Sequence, residues 1–220
     1  PHPRAVVLTG GGGFFSAGGN VNALKESASG TLADATARTD RLNAMIMAVV
    51  KCPVPVLAAV EGGAAGAGLS LALACDMIVA SANARFAVAQ VRVGLSPDGG
   101  ATSFLSSALP RQLVMEMCLL GAPVSAERLA GLGLVNVLSP EGGALEAALD
   151  LPPRLAEGPP QAIRTIKTLV RSAATVDLAS QLDNEARAIN LARFSAEAAE
   201  GLSAFLEKRP ARFGPAEGGA

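Results

Sequence analysis

Residues 54–76 read VPVLAAVEGGAAGAGLSLALACD and combine three patterns in order. Apolar residues 54–60 predict a buried strand, residues 62–68 are all Gly or Ala and predict a turn, and the leucines that follow predict a helix. Small residues in such a turn let other groups approach the backbone, and the first N–H groups of a helix lack acceptors within it. The stretch therefore predicts a site that stabilises a developing negative charge.

Composition excludes several classes of protein. The chain has 220 residues, half of them hydrophobic, which is enough for a sizeable core. Its formal net charge is −1 and it lacks Trp and Tyr, so it has neither the basic surface nor the aromatic platforms of nucleic-acid-binding proteins. No run approaches the roughly 18 apolar residues of a membrane span. We expect no nucleic-acid partner and no membrane partner.

The cysteines indicate a reducing compartment. Cys52, Cys75 and Cys118 are odd in number, widely separated and in apolar contexts. This is typical of reduced, buried thiols in a cytoplasmic protein.

The chain begins PHPRAVVLTG, without Met and almost directly at a strand. We expect that residues upstream are missing, so a signal peptide can be neither seen nor excluded.

The segments before residue 54 repeat the same order of elements. Residues 4–9 predict a strand, the four glycines 10–13 a loop, and residues 14–20 the approach to a helix. Residues 27–40 are polar, Ala-rich and weakly patterned, which predicts a mobile surface segment. Apolar residues recur at helical spacing over 42–50, and prolines end that helix.

The segments after residue 76 extend an α/β organisation and then become helical. Strands are predicted at 77–81, 85–88 and 135–138, a Gly/Pro loop at 94–100, and helices over 144–205. We predict an α/β core over residues 1–138 and a helical region over 139–220, divided near Ser139. Apolar positions on the C-terminal helices exceed what one small layer covers, which favours self-association.

Several familiar sites are excluded. No Lys follows either glycine-rich turn, as a nucleotide-triphosphate loop requires, and Leu71 occupies the third glycine position of a dinucleotide fingerprint. No nucleophile elbow surrounds Ser70, and the single histidine, His2, lies at the chain end. No His/Cys cluster has metal-ligand spacing, so we expect no metal site.

Four stretches together resemble one family. They are RAVVLTGGGGFFSAGGNV, PVLAAVEGGAAGAGLSLALACDMIVAS, ARFAVAQVRVGLSPDGGATSFL and AAEGLSAFLEKRPARF. In this order, over nearly the whole chain, they resemble the signatures of the crotonase superfamily, the enoyl-CoA hydratase/isomerase group. The resemblance implies a crotonase-like spiral of repeated ββα units with a helical C-terminal region, assembled as trimers or hexamers. It also implies that the N-terminal strands of the family are missing here.

The resemblance also implies an oxyanion hole built from backbone. Two N–H groups, of Gly19 and Ala67, would hold the thioester carbonyl of an acyl-CoA and stabilise the enolate formed by deprotonation next to it. Gly66 would contribute turn geometry beside the substrate. Coenzyme A is then part of the substrate, and no separate cofactor is expected.

Other contacts with the substrate are implied in the same way. The backbone around Ser16 and Ala17 would face the adenine end of coenzyme A, and Phe205 and Lys208 would reach it from a neighbouring subunit. The walls of the acyl pocket are expected from Leu24, residues 27–40 and the region of Met115.

The departures from the family pattern favour isomerisation. Hydratases of the family use two glutamates to activate water, and these positions are Ser70 and Gln90 here. Neither is a carboxylate base, and we expect both to line the pocket or to pack. Asp98 matches an aspartate of several double-bond isomerases, so it is the candidate base, although Pro-Asp-Gly is also a common turn in which Asp caps its own backbone.

Other acids receive structural interpretations. Glu61 lies at the entrance to the turn and is interpreted as structural, and Glu116, like Arg111, as solvent-facing or interfacial.

The main hypothesis is an enoyl-CoA isomerase/hydratase-like enzyme working through Gly19, Ala67 and Asp98. The alternatives are a non-catalytic acyl-CoA-binding relative, a CoA-thioester hydrolase and, more distantly, a nicotinamide-dependent dehydrogenase.

Overall fold

The computed structural model describes residues 3–20, 22, 25 and 29–213. The chain divides into two compact units. One consists of Val7–Cys52 and Val56–Leu149, and the other of Pro1–Val6, Pro53–Pro55 and Asp150–Ala220. The division along the chain therefore falls after Leu149 rather than near Ser139, because the strand that ends at Ser139 pairs within the first unit.

The first unit contains two sheets. A four-stranded sheet has the order β1-β2-β4-β7, with β2 parallel to β4 and β4 parallel to β7. A three-stranded sheet has the order β3-β5-β6, in which β5 is parallel to β3 and antiparallel to β6. The strands are β1 (Val6–Thr9), β2 (Val56–Val60), β3 (Gly63–Ala65), β4 (Met77–Ser81), β5 (Arg85–Ala87), β6 (Val124–Ser125) and β7 (Val137–Ser139).

Two helices of this unit each follow a pair of strands. The order strand, strand, helix occurs twice in succession, as β2-β3-α2 and as β4-β5-α3. In each case the two strands belong to different sheets, so the unit contains a repeated ββα pattern. The helices are α1 (Leu32–Val50), α2 (Ala67–Ala74), α3 (Ala101–Ala108), α4 (Arg111–Leu120), α5 (Ala126–Gly131) and α6 (Ala144–Leu149), with a 3₁₀ turn at Ala89–Val93.

The prediction of a mobile segment over residues 27–40 is wrong for the part that α1 occupies. The helix begins at Leu32, and Thr31 caps it by accepting a hydrogen bond from the Asp34 N–H (3.2 Å). The Asp34 carboxylate accepts one from the Thr31 N–H in return (3.1 Å). This reciprocal cap satisfies two N–H groups that would otherwise lack acceptors, so an alanine-rich segment with little apolar patterning starts a helix.

The core of the first unit forms around β2. All five residues of Val56–Val60 are buried, as expected for a strand with neighbours on both edges and side chains covered on both faces. The largest fully buried apolar side chains of the described residues are Phe86, Leu57, Leu69, Leu105, Met117, Leu129, Val60, Val79 and Val88. Short strands of small apolar residues therefore fix the turns that follow them.

The second unit is helical. It contains α7 (Leu151–Ala156), α8 (Pro160–Ala173), α9 (Leu178–Ala192) and α10 (Ala196–Leu206). Gln181 of α9 is buried, and its amide donates to the Leu169 carbonyl (3.1 Å) while it accepts from the Ser172 hydroxyl (2.9 Å). Each helix in the described part of the chain is too short or too polar to cross a lipid bilayer.

Candidate active site

Gly66 shapes the turn between β3 and α2. Its φ of 55° and ψ of −129° lie in a region that favours glycine. Its N–H donates to the Ala87 carbonyl (3.0 Å), and its own carbonyl accepts from Leu69 and Ser70. The N–H of Ala67, the first residue of α2, donates to no acceptor among the described residues. The turn thus presents a backbone donor at a helix N-terminus.

The first glycine-rich turn packs its backbone directly on this junction. Ser16 exchanges backbone hydrogen bonds with β3, accepting from Ala65 (2.9 Å) and donating to Gly63 (3.3 Å). A Cβ on Gly18 would lie 2.9 Å from the Ala65 oxygen and 3.0 Å from the Ala67 nitrogen. Only glycine at this position permits such a close approach, so the segment after Ser16 is fixed beside the start of α2.

A cavity of about 720 Å³ opens at this contact. Four segments line it: the first turn, the start of α2, one face of α1, and the loop after the 3₁₀ turn. The lining residues are Ser16, Gly18, Gly19, Ala67, Gly68, Leu71, Ala35, Arg38, Thr39, Leu42, Met45, Leu95, Ser96 and Asp98. Like the Ala67 N–H, the Gly19 N–H donates to no acceptor among the described residues. Two residues whose N–H groups lack acceptors among the described residues therefore line the same cavity as Asp98.

Asp98 is held at two of its oxygens. The Ser70 hydroxyl donates to its backbone carbonyl (2.8 Å), and the Gln90 amide donates to its carboxylate oxygen Oδ1 (3.0 Å). The carboxylate does not cap the N–H groups of its own Pro-Asp-Gly turn, in contrast to the turn interpretation of this motif. The side chain is half-buried and lines the cavity.

Four other residues expected at the site adjoin the cavity-lining residues without lining the cavity themselves. Gly66, Ser70, Gln90 and Ala17 are not among the cavity-lining residues, and Ser70 is fully buried with its hydroxyl proton donated to Asp98. For Ser70 and Gln90 the structure thus gives contacts with Asp98 in place of the expected contacts with substrate.

Three further expectations concern the pocket walls and the neighbouring subunit. Leu24 lies outside the described residues. Met115 belongs to α4 and does not line the cavity. Phe205, in α10, is 81% exposed, and Lys208 follows that helix with a φ of 54°.

Glu61 has a structural position, as its interpretation from the sequence predicted. Its carboxylate accepts a hydrogen bond from the N–H of Ala144 (3.2 Å), the first residue of α6. Burial alone would raise the pKa of Glu61, but hydrogen bonds from Gly142 and then from other donors, Ala144 included, outweigh burial and lower that pKa. The side chain is a charged cap for α6 and is absent from the cavity wall.

The charged pair on the outer helices is also remote from the cavity. Glu116 of α4 forms an exposed ion pair with Arg128 of α5 (3.1 Å), and hydrogen bonding to that guanidinium lowers the pKa of Glu116. Arg111 is exposed as well. No cluster of His, Cys, Asp or Glu suited to a metal ion occurs in the described part of the chain.

The cavity wall supplied by α1 was only partly anticipated from the sequence. Residues 27–40 were expected to contribute, but Arg38, Thr39, Leu42 and Met45 were not named as site residues. Counted from Ala35, which also lines the cavity, they lie at i+3, i+4, i+7 and i+10 of one helix face, which is the signal that identifies them once residues 32–40 are assigned to the helix.

Comparisons with known proteins find related sequences over almost the whole chain. The family model for enoyl-CoA hydratase/isomerase matches residues 1–216. A probable enoyl-CoA hydratase of Rhodobacter capsulatus is 37% identical over 96% of this chain and 80% of its own length. The 1,2-epoxyphenylacetyl-CoA isomerase of Escherichia coli is 36% identical with the same coverage.

A solved structure has the same fold over almost the whole chain. The enoyl-CoA hydratase from Polaromonas sp. JS666 superposes with a TM-score of 0.92 at 41% identity, covering 95% of this chain and 81% of that one. The crotonase fold predicted from the sequence is thereby confirmed. The chain belongs to the enoyl-CoA hydratase/isomerase family of the crotonase superfamily.

Proposed function

We propose that the protein is an acyl-CoA isomerase that removes a proton next to the thioester carbonyl and returns it at another carbon of the acyl group. Asp98 is the base, and the N–H groups of Gly19 and Ala67 bind the oxyanion. The observation that carries this proposal is that these three residues line one cavity, with both N–H groups lacking acceptors among the described residues.

The proposed reaction begins with a β,γ-unsaturated acyl-CoA whose thioester oxygen accepts from Gly19 and Ala67. The Asp98 carboxylate takes the proton from the adjacent carbon. The electron pair of the broken C–H bond forms a carbon–carbon double bond, and the carbonyl π pair moves onto the oxygen. A preorganised backbone donor at such an oxyanion is worth about a hundred- to a thousand-fold in rate. This enolate is conjugated with the β,γ double bond, so protonation at the γ-carbon uses that π pair for the new C–H bond. Protonation there re-forms the carbonyl and leaves the α,β double bond, which is an isomerisation without net redox change.

The residues around Asp98 favour isomerisation over hydration. The family's hydratases use two glutamates, whereas this chain has Ser70 and Gln90 at those positions. Neither residue accepts a proton from water at neutral pH, so the two-carboxylate route is closed. A relative that shares 36% of its residues carries the name 1,2-epoxyphenylacetyl-CoA isomerase, which agrees with an isomerase of aromatic or unsaturated acyl-CoA esters.

The remaining parts of the proposal concern binding and assembly. The backbone at Ser16 and Ala17 faces the adenine end of coenzyme A, and Phe205 and Lys208 of a neighbouring copy contact it. The functional particle is a homotrimer or hexamer in the cytoplasm and needs no cofactor besides the coenzyme A of its substrate. Exposed apolar side chains in the second unit, such as Phe194 (92% exposed), support the assembly.

The proposed function is tested with a panel of acyl-CoA thioesters assayed for double-bond migration, hydration and release of free coenzyme A. The proposal predicts migration by the wild type and none by Asp98→Asn. Dominant hydration or coenzyme A release would instead identify a hydratase or a thioester hydrolase. Tight binding with no turnover on any ester would identify a non-catalytic acyl-CoA-binding protein.

A further inference from the structure

Gln90 is tied to the loop that carries Asp98 at two points. Its backbone carbonyl accepts from the Leu95 N–H (3.0 Å), and its side-chain Nε2 donates to Asp98 Oδ1 (3.0 Å). Together these bonds close a ring through residues 90–98. The amide also lies beside the turn that opens α2, because a Cβ on Gly66 would lie 3.9 Å from Nε2. Gln90 therefore has little freedom to move away from the carboxylate.

The hydrogen bonds distinguish the two oxygens of the Asp98 carboxylate. Oδ1 is occupied by the Gln90 amide, whereas Oδ2 accepts no hydrogen bond from the described residues. An ionised carboxylate only accepts hydrogen bonds, so the unoccupied oxygen is the one that can take a proton from a bound substrate. Asp98 is one of the residues that line the cavity, and Oδ2 is its carboxylate oxygen without a hydrogen bond from the described residues.

The orientation of the Gln90 amide is fixed by the same contact. With Nε2 on Asp98 Oδ1, the amide oxygen Oε1 is buried and has no partner among the described residues. Turning the amide over would place Oε1 against Oδ1, two acceptors facing each other. A buried acceptor without a partner is unfavourable, and it persists here because the donor on the other side of the amide serves the carboxylate.

We infer that Gln90 is a positioning residue that holds the Asp98 carboxylate by Oδ1 and leaves Oδ2 as the base. This inference rests on the proposed function and deepens it. An ionised glutamate at position 90 would place an acceptor against the Asp98 carboxylate, whereas glutamine supplies a donor. The residue that replaces a hydratase glutamate in this chain is thus the one that makes a single aspartate effective.

The first test removes the donor and keeps the size of the side chain. Gln90→Met leaves the Gly19 and Ala67 donors intact, so KM for the acyl-CoA stays within about twofold while kcat falls about 10- to 100-fold. The readout is exchange of the α-protons of hexanoyl-CoA and phenylacetyl-CoA in deuterated water. Gln112→Met, on the exposed face of α4, is the matched control and exchanges at the wild-type rate.

The second test replaces the donor by an acid. Near pH 8 the Gln90→Glu protein has two facing carboxylates and exchanges at least as slowly as Gln90→Met. As the pH falls toward about 5, a facing carboxyl pair retains one proton, and the introduced acid then donates to Oδ1 as glutamine does. We expect the ratio of the wild-type exchange rate to that of Gln90→Glu to fall at least threefold over this pH range. The corresponding ratio for Gln90→Met should stay constant. Thermal unfolding of each variant verifies that it is folded.

The outcomes separate this inference from the proposed function. Exchange by Asp98→Asn at the wild-type rate, or no exchange by the wild type, overturns the proposed function and the positioning by Gln90 with it. Loss of exchange in Asp98→Asn with full kcat in Gln90→Met overturns the inference alone. Equal, pH-independent deficits in Gln90→Met and Gln90→Glu also overturn it, because they would reflect packing and not the donor.

Discussion

Gly68 and Ser16 approach each other so closely that a side chain at position 68 has no room. A Cβ on Gly68 would overlap the Ser16 backbone oxygen and its side chain, and Gly68 itself is buried in the first turn of α2. Because the contact joins the two glycine-rich turns, it fixes the spacing between the proposed donors at Gly19 and Ala67. Glycine at position 68 therefore allows the backbone of the Ser16 segment to lie against α2, and the site requires that this residue has no side chain.

This contact predicts the effect of a single methyl group. Gly68→Ala forces the Ser16 segment away from α2, which we expect to cost about 1–3 kcal/mol of stability and to lower turnover more than tenfold. Gly131→Ala is the control, since a Cβ there meets nothing within 4 Å. Chemical denaturation and steady-state kinetics measure both effects. Wild-type turnover in a folded Gly68→Ala protein would show that the spacing is not critical.

The Glu61 cap predicts a pH-dependent contribution to stability. Its pKa is lowered in the folded protein from an ordinary value of 4.5, so ionised Glu61 stabilises the fold above that value, and the contribution disappears as the pH falls through the folded pKa. Glu61→Gln should cost about 1 kcal/mol at pH 7. The difference in unfolding free energy from wild type should shrink below pH 4.5. A difference that is constant with pH would contradict the charged cap.

At the scale of single elements, α1 forms one wall of the cavity, and its N-terminus is held by the cap at Thr31. Ala35, Arg38, Leu42 and Met45 face the cavity from successive turns of this helix. The cap at Thr31 lies at the end of α1 nearest to Ala35 and Arg38. Loss of the cap should therefore affect substrate binding more than the proton transfer at Asp98.

This dependence can be measured directly. We expect Thr31→Ala to lower the hydrogen-exchange protection of the first turns of α1 about fivefold and to raise KM while kcat changes less than twofold. The control is Ser195→Ala, which removes the side-chain cap of α10 in the other unit. Unchanged protection of α1 in Thr31→Ala would contradict the assignment of the capping box as the start of the helix.

The limits of sequence reasoning are clearest in the same elements. The strands around residue 56 and the turn at Gly66 were predictable because a buried apolar run followed by Gly and Ala allows few other arrangements. The start of α1 was missed because a reciprocal Thr31–Asp34 cap is a weak local signal without apolar periodicity. The contact of Gln90 with Asp98 was unpredictable, since it depends on how a 3₁₀ turn and a glycine-rich loop fold back on each other.

At the scale of the whole molecule, the second unit exposes an unusual amount of apolar surface. Leu178, Phe194, Phe205 and Leu206 are 74%, 92%, 81% and 79% exposed. Large apolar side chains exposed on helices are typical of interfaces between copies of a chain. It agrees with the proposed trimer or hexamer.

Assembly can be tested independently of activity. Sedimentation velocity of the wild type should give a trimer or hexamer, and Phe194→Asp should shift the distribution toward smaller species by placing a charge at the interface. The control is Leu32→Asp, because Leu32 is exposed in the first unit. Phe14→Asp is less suitable, because Phe14 contacts glycines of that unit. A monomeric wild type would contradict the proposed assembly and would not bear on the proposed chemistry of the cavity.

The central claim is that Asp98 removes a proton next to a thioester whose oxygen is held by backbone. Its most direct measurement is α-proton exchange of bound acyl-CoA in deuterated water, with wild type and Asp98→Asn compared on the same esters and binding measured by calorimetry. We predict that Asp98→Asn binds the esters within about threefold of wild type and loses exchange by at least about a hundredfold. Exchange by Asp98→Asn at the wild-type rate would contradict the account.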